Sequence, residues 1–474
     1  MKMRISIFIL GIIFSPGMIA SAETLTSTQE DQANVEVTVY NNNLGLIKDT
    51  RKVTLPVAQG ELKFMDVAAF INPVTVHAKS LNTPEKFAVL EQNYEYDLID
   101  QNKLLDKYVG KKIKILNWNP YQDKKEIVDA KLISNNNGQV YEIGNEIYLG
   151  HPGVEILPQL PENLIAKPTL MWLFNNTSSQ PHQLEVSYLT NNLSWKADYV
   201  LVVDQKDAQG DLSGWVTVDN QSGAAYKEAK LKLVAGEVQT MQQANGGIAG
   251  DMLRVLSAPA AAPQFSEQGF FEYHIYDLAR RTTIKDKETK QISLLEANGI
   301  KIQKELLVYG VKSYFTAYYR PENPKQPVDV YIKFKNSKEN QLGMPLPGGI
   351  IRLYKEDSAK SLQFIGENKI EHTPKDEEVK LKVGEAFDVV AERRQMNFQL
   401  ISNQVYESEW EVTLRNHKQE DTMVGIIEPL SGDWQVISES HPHQKLDAFT
   451  IRYDVNVPKD GEVKVTYRIR VRVG

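Results

Sequence analysis

The stretch "VKVTYRIRVRV", Val463–Val473, decides the fold class. Val463, Val465, Tyr467, Ile469, Val471 and Val473 take every second position, and Lys464, Thr466, Arg468, Arg470 and Arg472 fill the places between. A period of two puts the first set on one face of an extended strand and the second set on the other. A helix would scatter the same residues around its axis. The expected element is a half-buried strand with a solvated basic face. A basic stripe of this kind also suits contact with anionic envelope polymers or lipid headgroups.

The same texture continues outward. "YESEWEVTLRNHK" from Tyr406, "DTMVGIIEPL" from Asp421, "WQVISES" from Trp434 and "AFTIRYDVNVP" from Ala448 are short apolar-alternating runs separated by turn residues. "TLMWLFNN", "HQLEVSYLT", "KADYVLVVD" and "SGWVTVDNQS" repeat the pattern between residues 169 and 222. Near the start, "VEVTVYNNNLGLIKDTRKVTLP" holds two such runs around an Asn-Asn-Asn turn. Serial strands with little helical periodicity predict a mainly β protein of antiparallel β-sandwich domains, immunoglobulin- or fibronectin-like. Trp172, Trp195 and Trp215 fall within strand runs, where core is the expectation.

Changes of composition divide the chain. Residues 1–22 read as a signal peptide: Lys2 and Arg4, then "ISIFILGIIF", a Ser-Pro-Gly break and Ala20-Ser21-Ala22. About ten apolar residues are too few to span a bilayer, and no later stretch is long and apolar enough. Residues 23–93 are expected to be N-terminal strands packing with the middle sheet, their first part, 23–33, being a loose polar leader. Residues 94–167, with "GKKIKILNW", "KEIVDAKLIS" and "GQVYEIG", are expected to form a small β-barrel-like module. Central sandwich strands follow over 168–240. An Ala/Pro/Gly/Gln-rich flexible linker covers 241–270, a β-rich domain 271–390 and an immunoglobulin-like sandwich 391–474.

The formal charge is −7, and −9 once Lys2 and Arg4 are removed, with 52 Lys and Arg against 61 Asp and Glu. That argues against nucleic-acid binding, which needs a basic footprint. The chain has no cysteine. Disulfides, thiol nucleophiles, Cys-type zinc sites and a lipoprotein anchor are therefore excluded. An exported protein of the periplasm or cell surface is expected, with no transmembrane segment after signal removal.

Further stretches carry a family resemblance. "VTVYNNNLGLIKDTRKVTLPVAQGELKFMDVAAFINPVTVHA", "SYLTNNLSWKADYVL", "GWVTVDNQSGAAYKEAKLKLVAGEVQ", "EYHIYDLARRTTIKDKETKQISLLEANGIKIQKELLV" and "PLPGGIIRLYKEDSAKSLQFIGENKIEHTPKDEEVKLKVGEAFDV" lie along most of residues 35–90 and 168–474. Together they resemble an exported bacterial domain-of-unknown-function family, numbered four-one-three-nine and related to proteins labelled mucoidy inhibitor A. The resemblance implies a β-rich envelope protein and brings no catalytic residues with it. Some relatives carry a coiled-coil hairpin after the N-terminal strands, whereas residues 94–168 show no heptads.

Few places look chemical. "IGENKIEHTPKDEEVKLKVGEAFDV", residues 365–389, surrounds His372 with acids. Pro374 and Asp376 suit a turn, so a β-hairpin with a charged Pro-Lys-Asp turn is expected rather than a metal or catalytic cluster. His441 and His443, in "HPH", are the weak metal candidates, because positions i and i+2 of a strand share a face. Trp118 and Tyr121, in the Pro- and Asn-rich turn "NWNPYQ", and Trp434, after a turn, are the binding candidates. No nucleophile elbow, zinc-protease motif or P-loop occurs, and no cofactor is expected. The leading expectation is a non-enzymatic interaction or scaffold module whose partner is an envelope protein or polysaccharide. The alternative is a hydrolase, or a carbohydrate-binding or carbohydrate-active protein, acting on envelope polysaccharide. Its mark would be two carboxylates, or a histidine with acids, gathered in a cleft.

Overall fold

A computed structural model describes residues 24–95, 100–119, 124–151, 153–160, 167–236 and 264–473. The signal segment and all of the expected linker before residue 264 lie outside these residues. The chain is mainly β, in several mostly antiparallel sheets, and among the described residues none closes into a barrel. Two compact units divide it. One contains Leu46–Asn191 and Gln221–Ala229 with the chain up to Val37. The other contains Thr38–Gly45, Asn192–Asn220 and Lys230–Gly474.

In the first unit, Ala58–Met65 and Thr169–Asn176 lie at the centre of a four-stranded sheet, flanked by Thr24–Ser27 and Phe87–Glu95. The polar leader is not loose where it is described. Thr24–Ser27 runs parallel to Ala58–Met65, Thr24 facing Glu61 and Ser27 facing Phe64. A 3₁₀ turn, Gln29–Asp31, follows, held by a reciprocal cap between Thr28 and Asp31. Backbone pairing needs no apolar side chains, so composition hid this strand.

The small module is an open five-stranded antiparallel sheet. Its order is Glu146–Leu149, Val140–Ile143, Lys124–Ser134, Lys112–Asn119 and Val154–Ile156. Closure is unnecessary because the helix Gln101–Tyr108 covers one face. Its Leu105 and Tyr108 pack on Ile113, Ile115, Ala130, Leu132 and Tyr141. Asp100 caps the helix by accepting from the Lys103 amide.

In the second unit, one large sheet runs Leu362–Ile370, Gly349–Glu356, Leu193–Val203, Gln209–Asn220, Glu288–Tyr309, Thr422–Pro429, Thr450–Val457 and His443–Asp447. Its long strand Glu288–Tyr309 pairs through its first half with Gln209–Asn220 and through its end with Thr422–Pro429. A second sheet runs Lys325–Gln326, Val389–Ser402, Val405–Asn416, Gly461–Arg472 and Asp433–Glu439. The two share a core in which Trp410, Val412, Ile426, Tyr453, Val465, Tyr467 and Ile469 are buried. The alternating stretch thus lies on Gly461–Arg472, with Val465, Tyr467, Ile469 and Val471 inward.

Two expectations change here. Phe265–Phe270, at the end of the expected linker, is a strand paired with Tyr273–Leu278. The stretch 365–389 is not a hairpin. Leu362–Ile370 pairs with Gly349–Glu356, whereas Glu378–Glu385 pairs with Asp329–Lys335. Between them Thr373 forms a bridge with Leu346, and the buried Asn336 amide donates to the Met344 and Pro374 carbonyls at 2.8 and 2.9 Å. These contacts carry the chain from one ladder to another. The turn itself is real: Asp376 sits at φ 68°, and His372 is exposed with its Nδ1 accepting from the Gly348 amide at 3.0 Å.

Candidate aromatic edge of the C-terminal sandwich

The chain passes from one sheet of the sandwich to the other between Glu439 and His443. Asp433–Glu439 is the edge of one sheet and His443–Asp447 the edge of the other. Trp434 and Val436 alternate inward from the first edge and pack against the core. The Trp434 Nε1–H donates to the Ala448 carbonyl at 2.8 Å, so the indole spans the opening between the sheets. Its ring lies edge-on to His443, centroids 6.1 Å apart, and His443 is edge-on to Tyr453 at 6.1 Å. Tyr453 stacks on Tyr467 at 5.1 Å, which carries the aromatic series into the core.

Charges border this series. His443 Nδ1 meets Glu439 Oε2 at 2.7 Å, and the Lys445 ammonium lies 5.2 Å from the Trp434 ring centroid. The same segment exposes Ile437, Leu446 and Phe449 by 40, 51 and 48 %. An edge that combines a half-buried tryptophan, exposed aliphatics and a lysine is suited to recognition.

Beneath it lies a charged group that sequence reading missed. Arg393 and Glu428 are ion-paired with no exposed surface. Tyr467 donates to Glu428 Oε1 at 2.6 Å, and Arg393 Nε donates to Gln326 Oε1 at 2.8 Å. Burial disfavours the charged guanidinium, but Glu428 together with Tyr467 and Tyr314 outweighs this and raises the Arg393 pKa. Burial also pushes the neighbouring Tyr314 phenol up to about 12. The available signal was alternation: Val389, Ala391 and Arg393 share one parity, so the arginine belongs inside.

The basic face of the terminal strand is partly paired with acids of the adjacent strand. Arg468 and Arg470 both turn to Glu407 on the adjacent strand, at 2.5 and 2.7 Å. Burial pushes the Glu407 carboxyl up, but hydrogen bonds from Arg470 and Arg468 outweigh it and hold the pKa below the usual carboxylate range.

Of the sequence candidates, the structure brings Trp434 and His443 together. His441 is separate, its Nδ1 paired with Ser440 Oγ at 2.9 Å. Among the described residues no three His, Asp or Glu side chains converge as a metal site would require. Trp118 lies on the strand Lys112–Asn119, its backbone opposite Lys125, rather than in a turn. Tyr121 lies outside the described residues. Among the described residues, no helix is long and apolar enough to cross a membrane.

No curated protein matches the chain. A family model described as "Domain of unknown function (DUF4139)" matches residues 184–473, a span that includes Trp434, His443 and the whole sandwich. The chain belongs to the DUF4139 family.

Proposed function

We propose that this chain is an exported protein of the bacterial cell envelope that acts as a non-enzymatic interaction or scaffold module. The observation that carries the reading is the aromatic edge, where Trp434, Ile437, Leu446 and Phe449 offer apolar surface between two sheet margins. Export rests on Lys2, Arg4, the apolar run and Ala20–Ala22. Several charged groups of the second unit serve the fold: Arg393 holds Glu428, Arg468 and Arg470 hold Glu407, and Lys382 holds Asp329 at 2.9 Å.

Fractionation of intact cells, together with a panel of peptide, ester and glycan substrates, tests the reading. The expected result is an envelope fraction and no turnover. Cytoplasmic recovery of the unprocessed chain, or a clear turnover signal, overturns it.

A further inference from the structure

Sheet edges are sites of strand addition unless something blocks them. Several edges in this protein carry register irregularities: Phe87–Glu95, Leu362–Ile370, Asp433–Glu439 and His443–Asp447. The edge strand Glu146–Leu149 of the small module carries none; the opposite edge, Val154–Ile156, is also regular but is one residue shorter and centred on Glu155. It pairs without a register shift to Val140–Ile143, from Glu146 opposite Ile143 to Leu149 opposite Val140. Its one charge is Glu146, which accepts from the Tyr148 hydroxyl at 3.0 Å. Ile147 and Leu149 are 60 and 87 % exposed.

The ladder also shows which backbone groups face outward. The Gly150 amide donates to the Gln139 carbonyl at 2.8 Å, one step beyond the pair Leu149 and Val140. Bonded and non-bonded pairs alternate in an antiparallel ladder. Tyr148 therefore bonds inward to Tyr141, and the amides and carbonyls of Ile147 and Leu149 point to the open edge. The two most exposed aliphatics of the strand thus also carry the backbone groups that have no partner among the described residues.

We infer that two copies of this chain pair edge to edge through Glu146–Leu149, antiparallel, about a two-fold axis at Tyr148. The register is self-complementary. Ile147 of one copy faces Leu149 of the second, and both ends of the pairing together supply about four hydrogen bonds. The two Tyr148 rings meet on the inner face, and the aliphatics meet on the outer face. Glu146 faces Gly150 of the second copy, so no like charges oppose. This inference stands on the small module alone and is independent of the aromatic edge.

Sedimentation equilibrium of the full chain, with Leu149→Pro as the variant, tests it. The proline removes only an outward amide, which an edge strand tolerates. Wild type is expected to dimerise reversibly, and Leu149→Pro to weaken the dimer at least about tenfold, as loss of two bonds should, with circular dichroism unchanged. The chain has no cysteine, so Tyr148→Cys gives a second readout. Non-bonded pairs approach closely enough for a disulfide, and oxidation should link two copies through position 148 much faster than in Glu146→Cys. A monomeric wild type at all concentrations, a dimer indifferent to Leu149→Pro, or equal crosslinking from positions 146 and 148 overturns the inference.

Discussion

Arg393 and Glu428 face each other inside the C-terminal sandwich with neither side chain reaching solvent. A buried pair of this kind adds little net stability, but removing one partner strands the other charge. Glu428→Ala should therefore cost about 3–5 kcal/mol. Arg393→Met combined with Glu428→Leu should recover most of it, because apolar residues of similar volume replace the pair. Urea unfolding midpoints of the three proteins check this. A single variant as stable as wild type would show that water reaches the pair.

The same carboxylate explains a glycine. A Cβ on Gly310 would fall on Glu428 Oε2, and the Gly310 amide is fixed by the Ile427 carbonyl at 2.8 Å. Gly310→Ala should destabilise by about 1–3 kcal/mol through overcrowding. Adding it to Glu428→Ala should cost clearly less than the sum of the two single effects, since the obstructing oxygens are gone. Strict additivity in a denaturation cycle would contradict this contact.

His182 should make the first unit sensitive to acid. It is fully buried, with Nε2 3.0 Å from Asn176 Oδ1 and Nδ1 2.9 Å from Ser80 Oγ. The Asn176 amide nitrogen donates to the Leu55, Pro56 and Ser178 carbonyls, which leaves its Oδ1 facing the ring and places the proton on Nε2. Its other neighbours are Thr83 Oγ1 and the Phe87 ring, neither charged. Burial holds the His182 pKa below its ordinary value of 6.5. The unfolded chain then binds the proton more readily than the folded one. The contribution is fully present above 6.5 and is lost as pH falls from there toward the folded-state pKa. Melting temperatures from pH 8 to pH 5 should fall for wild type and flatten in His182→Gln. Parallel curves for the two proteins would rule the mechanism out.

Glu407 controls the charge of the terminal strand. Glu407→Gln should release Arg468 and Arg470 and open a basic face that the carboxylate now partly offsets. The variant should elute from a heparin column at higher salt than wild type, because more cationic groups become free to bind a polyanion. Stability should drop by about 1 kcal/mol, within the range of partly exposed pairs. Unchanged elution would mean that the arginines find other partners.

Strand type was legible wherever side chains alternate, as in Val463–Val473, because burial on one face writes itself into composition. Thr24–Ser27 was not legible, since a polar strand is held by its backbone alone. The partners of Leu362–Ile370 and Glu378–Glu385 were also hidden. Two adjacent strands and a turn look alike whether they pair with each other or with remote strands, and here Asn336 and Leu346 decide the matter. In the candidate site, Trp434 and His443 were singled out separately. Their proximity depends on a crossing between sheets, which spacing does not encode. Arg393 and Glu428 were missed because charged residues are read as exposed unless parity is followed through the whole strand.

Site-specific photocrosslinking in living cells tests the proposed role most directly. A photoreactive phenylalanine analogue at Phe449, on the aromatic edge, is compared with the same analogue at Phe387, which is 95 % exposed and on a different loop. The account predicts a discrete crosslinked envelope component from position 449, absent from position 387 and lost when Ile437→Asp is added. Equal labelling from both positions, or none from 449 in intact cells, would contradict an interaction surface at this edge.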